Sequence, residues 1–555
     1  MTQIRNSSFG ISLFSLLLGA CGGSSGDGSD ISRSPIDDPR NGINSPSENF
    51  DYKPGEYEPR ALFADYCINP DVSRGERQGI AEDENNFLRS WTNETYLWNE
   101  DVPDLDPGNY ANPLQYFDLL VTDERDVDGN LLDQFHFSID TETYETEIVA
   151  GISVDYGISW DFASLTPPRS ATVRYVEPGS PADEAGIVRG LSLESVGTLQ
   201  GPPVNFANSD NTDLLNAALF PEEGAEAYQF RFAEQDDAVV MQAEQIISSP
   251  VLKSEVLTIP ATDTRAESTA GYLVFNDHAF RSEFQLLEAL ESFEEAEVDD
   301  LILDLRYNGG GLLYIASQLA YMIAGDQTDD KAFSTMVVND NLNNTDPSSG
   351  RPIEPTPFFD EYFGLDDDIT AAQRQRIGDE LPTLNLSRVY VISTDDTCSA
   401  SEAIISGLIG IDVEVVLIGG TTCGKPYGFY PTENCGTTYF SIQFQGVNDK
   451  GFGDFAAGFK PGNFSIGQES SAFPATLPGC QADDDLANAL GSLNEASLAA
   501  AVNFIQTDSC PAPAATAAFS LKSKPAARST NLQHSGKALE IPKRRIPGAI
   551  AVPVK

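Results

Sequence analysis

Three side chains capable of nucleophilic and acid–base chemistry fall within a short span of this sequence. Ser399 and Glu402 stand in DDTCSASEAIISG (395–407), and Lys425 stands in TTCGKPYG (421–428). A serine hydroxyl becomes a useful nucleophile only beside a base. Histidine is the usual base, yet the chain has only His136, His278 and His534. His534 lies in a tail with no hydrophobic pattern. His136 and His278 have no motif around them, and both read as structural. Lysine is left as the base. At its ordinary pKa of ~10.4 it is protonated, and bringing it near neutral costs about 4 kcal/mol, through desolvation or a positive field. Lys425 has a suitable setting: the apolar run VVLIGG precedes it, followed by small Cys423 and Gly424.

The elements that must position these residues are legible in outline. RVYVIS (388–393) reads as a strand, and an apolar helix begins just after Ser399. A loop after a strand therefore presents Ser399 at a helix N-terminus, where free N–H groups and the dipole favour negative charge. Ala400 N–H is then aimed at an oxyanion forming on a substrate carbonyl. A second donor is expected from Gly309, Gly310 or Gly311, after the strand DLILDL (300–305), where backbone can approach closely. Each such donor supplies ~3–4 kcal/mol in a transition state. Glu402 lies one helical turn beyond Ser399 and either orients Lys425 or caps the first turn.

The rest of 249–510 alternates strands and helices, which predicts an α/β layer fold. AGYLVFN (270–276) and VEVVLIGG (413–420) read as strands and LLYIASQLAYMIA as a helix. SEFQLLEALESF reads as a helix opened by Ser282 and Gln285 at capping-box spacing. Residues 61–145 read as a small helical domain, with Phe87, Leu88, Trp91 and Trp98 at helical spacing and a second helix over 113–121. Residues 146–248 turn to short alternating strands.

Net charge is −52, from 33 Lys and Arg against 85 Asp and Glu, which argues against a nucleic-acid partner. Such acidity also suits a solvated surface in salty surroundings. The last segment, 511–555, is Ala- and Pro-rich and reads as disordered; its eight Lys and Arg against one acid give +7. It lies either on the acidic body, on anionic lipid, or free in solvent. Residues 1–21 read as a secretory signal whose apolar stretch is too short to span a membrane. Its end, Leu18-Gly19-Ala20-Cys21, resembles a bacterial lipobox, which implies cleavage before Cys21 and lipidation of its thiol. Residues 22–60 then form a flexible tether. Gly22 leans the sorting toward the outer membrane, by analogy with Gram-negative lipoproteins. No CxxC pair or histidine cluster suggests zinc, and no cofactor is expected.

The constellation DLRYNGGG (304–311), SASE (399–402) and GKP resembles the C-terminal processing, or tail-specific, peptidase family. The similarity runs over roughly 85–505. It implies a crotonase-like core carrying a Ser-Lys dyad, with Ser399 as nucleophile, Lys425 as base and Glu402 as an acidic residue near the lysine. It implies an oxyanion hole from Ala400 and Gly310. GSPADEAG (179–186) resembles the PDZ domains of bacterial proteases, in the chain order the family requires. The implied partner is a protein or peptide substrate whose C-terminal tail adds as a strand, with Gly151, Ile152 and Val154 as candidate peptide-binding residues. Tyr307 stands where the family has Asn, a departure expected to change the cleft wall. The segment 327–387 has no family counterpart and reads as a lid or an exosite. The alternative function is a non-catalytic binding lipoprotein on the same fold.

Six cysteines remain after Cys21, an even number that suggests disulfides in an exported protein. Cys398 adjoins the candidate nucleophile and Cys423 precedes the candidate base by two residues. If Ser399 and Lys425 meet, their neighbours are close. A Cys398–Cys423 bridge is the expectation, against two buried thiols, with Cys435–Cys480 and Cys67–Cys510 as the remaining pairs.

Overall fold

The computed structural model describes residues 45–511 and 539, apart from 126–128, 234, 367 and 464–474. The signal stretch, Cys21 and His534 lie outside the described residues.

Six strands form the central sheet, in the order Val251–Ile259, Ser268–Phe275, Asp300–Asp304, Arg388–Ser393, Glu414–Gly419 and Gly479–Gln481. The first pair is antiparallel and the others run parallel. Alternate residues of each strand face opposite sides, so one sequence feeds two cores. Leu273, Leu301, Leu303, Val391 and Leu417 pack against the helices Ser282–Glu295, Leu313–Ala324 and Ala400–Gly410. Tyr272, Ile302, Tyr390 and Ile418 pack on the other side against Ala496–Thr507. Both faces are covered, as parallel sheets require. This explains why DLILDL and VEVVLIGG read as continuous apolar runs rather than alternating ones. The three stretches of interest leave the C-terminal ends of three adjacent parallel strands, where α/β sheets place their ligands.

A second, four-stranded sheet stands beside the first, ordered Thr356–Pro357, Ala332–Val338, Phe444–Val447 and Tyr427–Gly428. Thus part of 327–387 is regular strand within this sheet. The N-terminal region is less helical than its pattern suggests. One long helix, Ala81–Thr95, carries Phe87, Leu88 and Trp91 into a core, but Trp98 falls beyond its end. The helix expected over 113–121 is only Pro113–Phe117. Strand Phe137–Asp140 pairs antiparallel with Thr437–Phe440, so this region shares a sheet with the C-terminal half of the chain. Nor is all of 22–60 tether: Ser45 Oγ donates to Asp83 at 2.8 Å, and Arg89 donates to the carbonyl of Glu56 at 2.9 Å. No capping box opens Ser282–Glu295. Ser282 Oγ donates back to Ala279 O, and Gln285 Oε1 accepts Val251 N–H.

Between these regions, 152–247 forms a β-rich unit around Tyr156, Trp160, Val196, Phe206 and Phe230. Its Arg189 donates to Tyr307 Oη and Asp484, and Tyr307 Oη donates to Asp484. The departure at Tyr307 thus ties the β-rich unit to the central sheet. At Leu539 the tail, read as disordered, is buried in this unit's core, and its N–H donates to Leu165 O at 3.2 Å.

The structure pairs Cys398 with Cys423, Cα atoms 5.2 Å apart. The other pairs are Cys67–Cys435 and Cys480–Cys510, in place of the Cys435–Cys480 and Cys67–Cys510 expected. Cys67–Cys435 clips the N-terminal region to the hairpin of the shared sheet, a long-range proximity that no spacing rule encodes.

Candidate active site

Ser399 sits on the turn between strand Arg388–Ser393 and helix Ala400–Gly410 with φ 62° and ψ −113°. This region is rarely open to a residue with a Cβ and costs on the order of 1–3 kcal/mol. A serine lifted on a sharp strand-to-helix turn is the geometry that exposes a nucleophilic Oγ above a sheet. The turn is held open by its neighbours. Cys398 N–H donates to Asn308 O, Ser401 Oγ donates to the same carbonyl, and Ser399 N–H donates to Glu402. Ser399 Oγ is buried and has no hydrogen-bond partner.

Lys425 is only 1% exposed. Its Nζ lies 4.2 Å from the ring centroid of Phe429 and 4.7 Å from that of Phe135. Burial pulls its pKa down to about 7, against the raising fields of Asp133 and Glu402. An ammonium against two aromatic faces keeps some stabilisation, but loss of water dominates. Ser399 and Lys425 front one cavity of about 20 Å³, closed by Leu313, Phe333, Ala403 and Phe444 among others. That is room for about one water molecule.

Glu402 caps the first turn and holds the backbone at Lys425. Its Oε2 accepts the N–H of Ser399 at 3.0 Å and of Lys425 at 2.8 Å; Oε1 accepts Gly424 N–H at 2.9 Å and the Thr422 hydroxyl. Burial raises its pKa, and these donors oppose the rise. It therefore caps the helix and, in the same act, fixes the backbone under Lys425. Gly424 must be glycine: φ is +84°, and a Cβ there would meet Ala456 O at 2.2 Å.

The glycine loop lies against Ser399. A Cβ at Gly310 would come within 2.7 Å of Ser399 Cβ and 2.9 Å of Ala400 N. Ala400 N–H belongs to the first helical turn, where no intrahelical carbonyl exists for it. The Gly310 N–H, however, donates to Asn308 Oδ1 at 2.9 Å. Gly310 thus shapes the space beside Ala400 N–H while its own donor is engaged.

Gly151 precedes strand Ile152–Asp155, which holds Ile152 and Val154 and lends Ser153 and Asp155 to a separate cavity. Ile152 and Val154 lie in a strand paired with Glu244–Ile247, which occupies one of its edges. That cavity of about 370 Å³ between the β-rich unit and the sheet is lined instead by Asp155, Gly157, Ile158, Arg174, Tyr307 and Gly309, among others. The sequence reading also missed Asp133 and Phe135, which approach Lys425 from the N-terminal region. No local signal marks them. His136 is structural as expected, stacked on Phe117 with ring centroids 3.9 Å apart and Nε2 bonded to Phe117 O. Cys398, Glu402 and Cys423 crowd together, but both sulfurs are committed to their disulfide and hold no lone thiolate for a metal.

Residues 269–433 match the model of peptidase family S41, and residues 83–138 match that of the peptidase S41 N-terminal domain. Carboxyl-terminal-processing peptidase 2, chloroplastic, of Arabidopsis thaliana is 26% identical over 166 residues, covering 29% of this chain and 30% of that relative. The chain thus matches under a third of that protein's length. A solved structure described as an S41 protease from Bacteroides fragilis aligns with a TM-score of 0.54 at 21% identity, covering 76% of this chain and 96% of that one. A photosystem II D1 C-terminal processing protease covers 69% and 92% respectively, at 14% identity and a TM-score of 0.38. The Bacteroides protein shares the fold, and this chain carries the two peptidase S41 family domains in their chain order.

Proposed function

We propose that this chain is a serine endopeptidase of the bacterial cell envelope that captures protein C-terminal tails and cleaves through a Ser-Lys dyad. The observation that carries the reading is the pairing of a strained, unpartnered Ser399 with a desolvated Lys425 in one cavity. Lys425 Nζ, neutral above about pH 7, takes the Ser399 proton as Oγ attacks the scissile carbonyl. The transfer needs the two atoms within ~3 Å. Ala400 N–H receives the oxyanion, and Gly310 keeps the space beside it clear. The lysine then gives its proton to the departing amine. Water, deprotonated by the same lysine, releases the acyl group and restores Ser399.

The mixed sheet serves as a crotonase-like core, and 146–248 as a PDZ-like domain that feeds tails toward it. Because the 20 Å³ cavity holds no peptide, a substrate carbonyl reaches Ser399 only when a wall moves. The second sheet supplies that wall through Phe333 and Phe444, which fits the lid role of 327–387. Cys21 would carry the lipid that anchors the enzyme, with the outer membrane as its address; Cys21→Ser should release the protein from membranes.

The test is substrate trapping. Ser399→Ala should retain bound tails and hydrolyse none, while the wild type cleaves the same proteins. Undiminished hydrolysis by folded Ser399→Ala sinks the reading.

A further inference from the structure

A cleft of about 690 Å³ opens on the other side of the glycine loop, lined by Phe87, Tyr144, His278, Gly311, Leu312 and Tyr430, among others. His278 is 1% exposed, and its Nε2 has no hydrogen-bond partner. Its tautomer follows from its neighbours. Asn308 Nδ2 donates to Phe275 O at 3.0 Å, which fixes the orientation of the amide. Asn308 Oδ1 therefore faces the loop, where it accepts Gly310 N–H at 2.9 Å. The contact from His278 Nδ1 to the same oxygen, 3.0 Å, requires the proton on Nδ1. Nε2 is left with a bare lone pair. Burial lowers the ring's pKa to about 4, so it stays neutral at ordinary pH.

The ring's position is also fixed. His278 N–H donates to Gly310 O, and Leu312 N–H donates to His278 O. A Cβ at Gly311 would strike His278 O at 2.7 Å, so glycine alone allows this approach. A rigid, desolvated acceptor thus stands beside the loop that touches Ser399. A buried acceptor without a donor costs about 1–3 kcal/mol. An extended polypeptide entering this cleft carries the matching deficit, N–H groups stripped of water.

We propose that His278 is a specificity-determining residue whose Nε2 accepts a hydrogen bond from one backbone N–H of the polypeptide bound in the 690 Å³ cleft. It rests on the peptidase reading for its ligand class. It assigns His278 a role in reading substrate register, where the sequence suggested only structure. It is not the general base, since its proton-bearing Nδ1 faces Asn308 and the Ser399 Oγ has no partner.

The test uses full-length Ser399→Ala protein and a peptide selected for binding to it. Each backbone amide of the peptide is replaced in turn by an ester, which removes one N–H. One position should weaken binding on the order of fivefold, and that penalty should vanish in the Ser399→Ala/His278→Leu protein. Imidazole ¹⁵N spectra of the Ser399→Ala protein, with native His278, guard against a misfolded variant. The His278 Nε2 resonance should move on binding the amide peptide and return toward its free position with the ester. The inference is overturned by an Nε2 resonance indifferent to the peptide, or by an ester penalty that survives His278→Leu. Hydrolysis by the wild type is scored separately, so an inert wild type refutes the peptidase reading while the binding assay still judges His278.

Discussion

Glu402 holds Lys425 by its backbone: a single carboxylate oxygen, Oε2, accepts Lys425 N–H at 2.8 Å and Ser399 N–H at 3.0 Å. The proposed nucleophile and base therefore hang from one buried group. This makes the geometry of the pair hostage to a residue that need not touch substrate.

Glu402→Gln tests that dependence. An amide can turn only one oxygen toward these N–H groups, and its NH₂ would face donors. Loss of buried, charge-assisted bonds costs roughly 2–5 kcal/mol. Thermal unfolding should show the loss, and hydrolysis should fall at least tenfold. A stable, fully active Glu402→Gln variant refutes the shared tether.

The pH dependence follows from Lys425. Its pKa in the folded protein is about 7, chiefly from desolvation, against ~10.4 in an unfolded chain. Activity should rise with pH through about 7 as the amine loses its proton. Between about 7 and ~10.4 the unfolded chain holds more protons than the folded one, so this residue's contribution to stability grows as pH rises through that window. Lys425→Met should be inactive yet at least as stable as wild type at pH 6, because no buried amine remains to be charged. Rate profiles and denaturant titrations at several pH values check both halves.

Gly310→Ala should abolish hydrolysis. The new methyl would lie 2.7 Å from Ser399 Cβ and 2.8 Å from Cys398 O, at a φ of +102° that disfavours any side chain. A destabilisation of about 1–3 kcal/mol accompanies it. Normal turnover in this variant would show that the space beside Ala400 N–H is not used.

The Cys398–Cys423 bridge spans 25 positions. In the chain-entropy model a loop of that length contributes roughly 3–4 kcal/mol. The double Cys398→Ala/Cys423→Ala variant should lose about that much on denaturant unfolding. Its activity should fall further than that of a Cys480→Ala/Cys510→Ala variant, whose bridge lies behind the sheet. Equal activities in the two variants would mean that the first bridge serves stability alone.

The sequence by itself determined the local frame of the site. Strand, loop and helix around Ser399 follow from RVYVIS and the apolar run after SASE. The glycine run marks where backbone must come close, and the apolar strand before Lys425 foretells desolvation. These are short-range properties, written in neighbouring residues. Only the tertiary structure decided which distant groups complete them. Asp133 and Phe135 reach Lys425 because strand Phe137–Asp140 pairs with Thr437–Phe440, some 300 positions on. Cys67 likewise finds Cys435 only through folding, across 368 positions. The Gly310 N–H is engaged because Asn308 turns its amide inward, held by Phe275 O. His278 shows the limit most clearly. No motif surrounds it, and its meaning lies in which nitrogen carries the proton. That is set by a hydrogen bond from another strand's loop, which folding alone brings within reach.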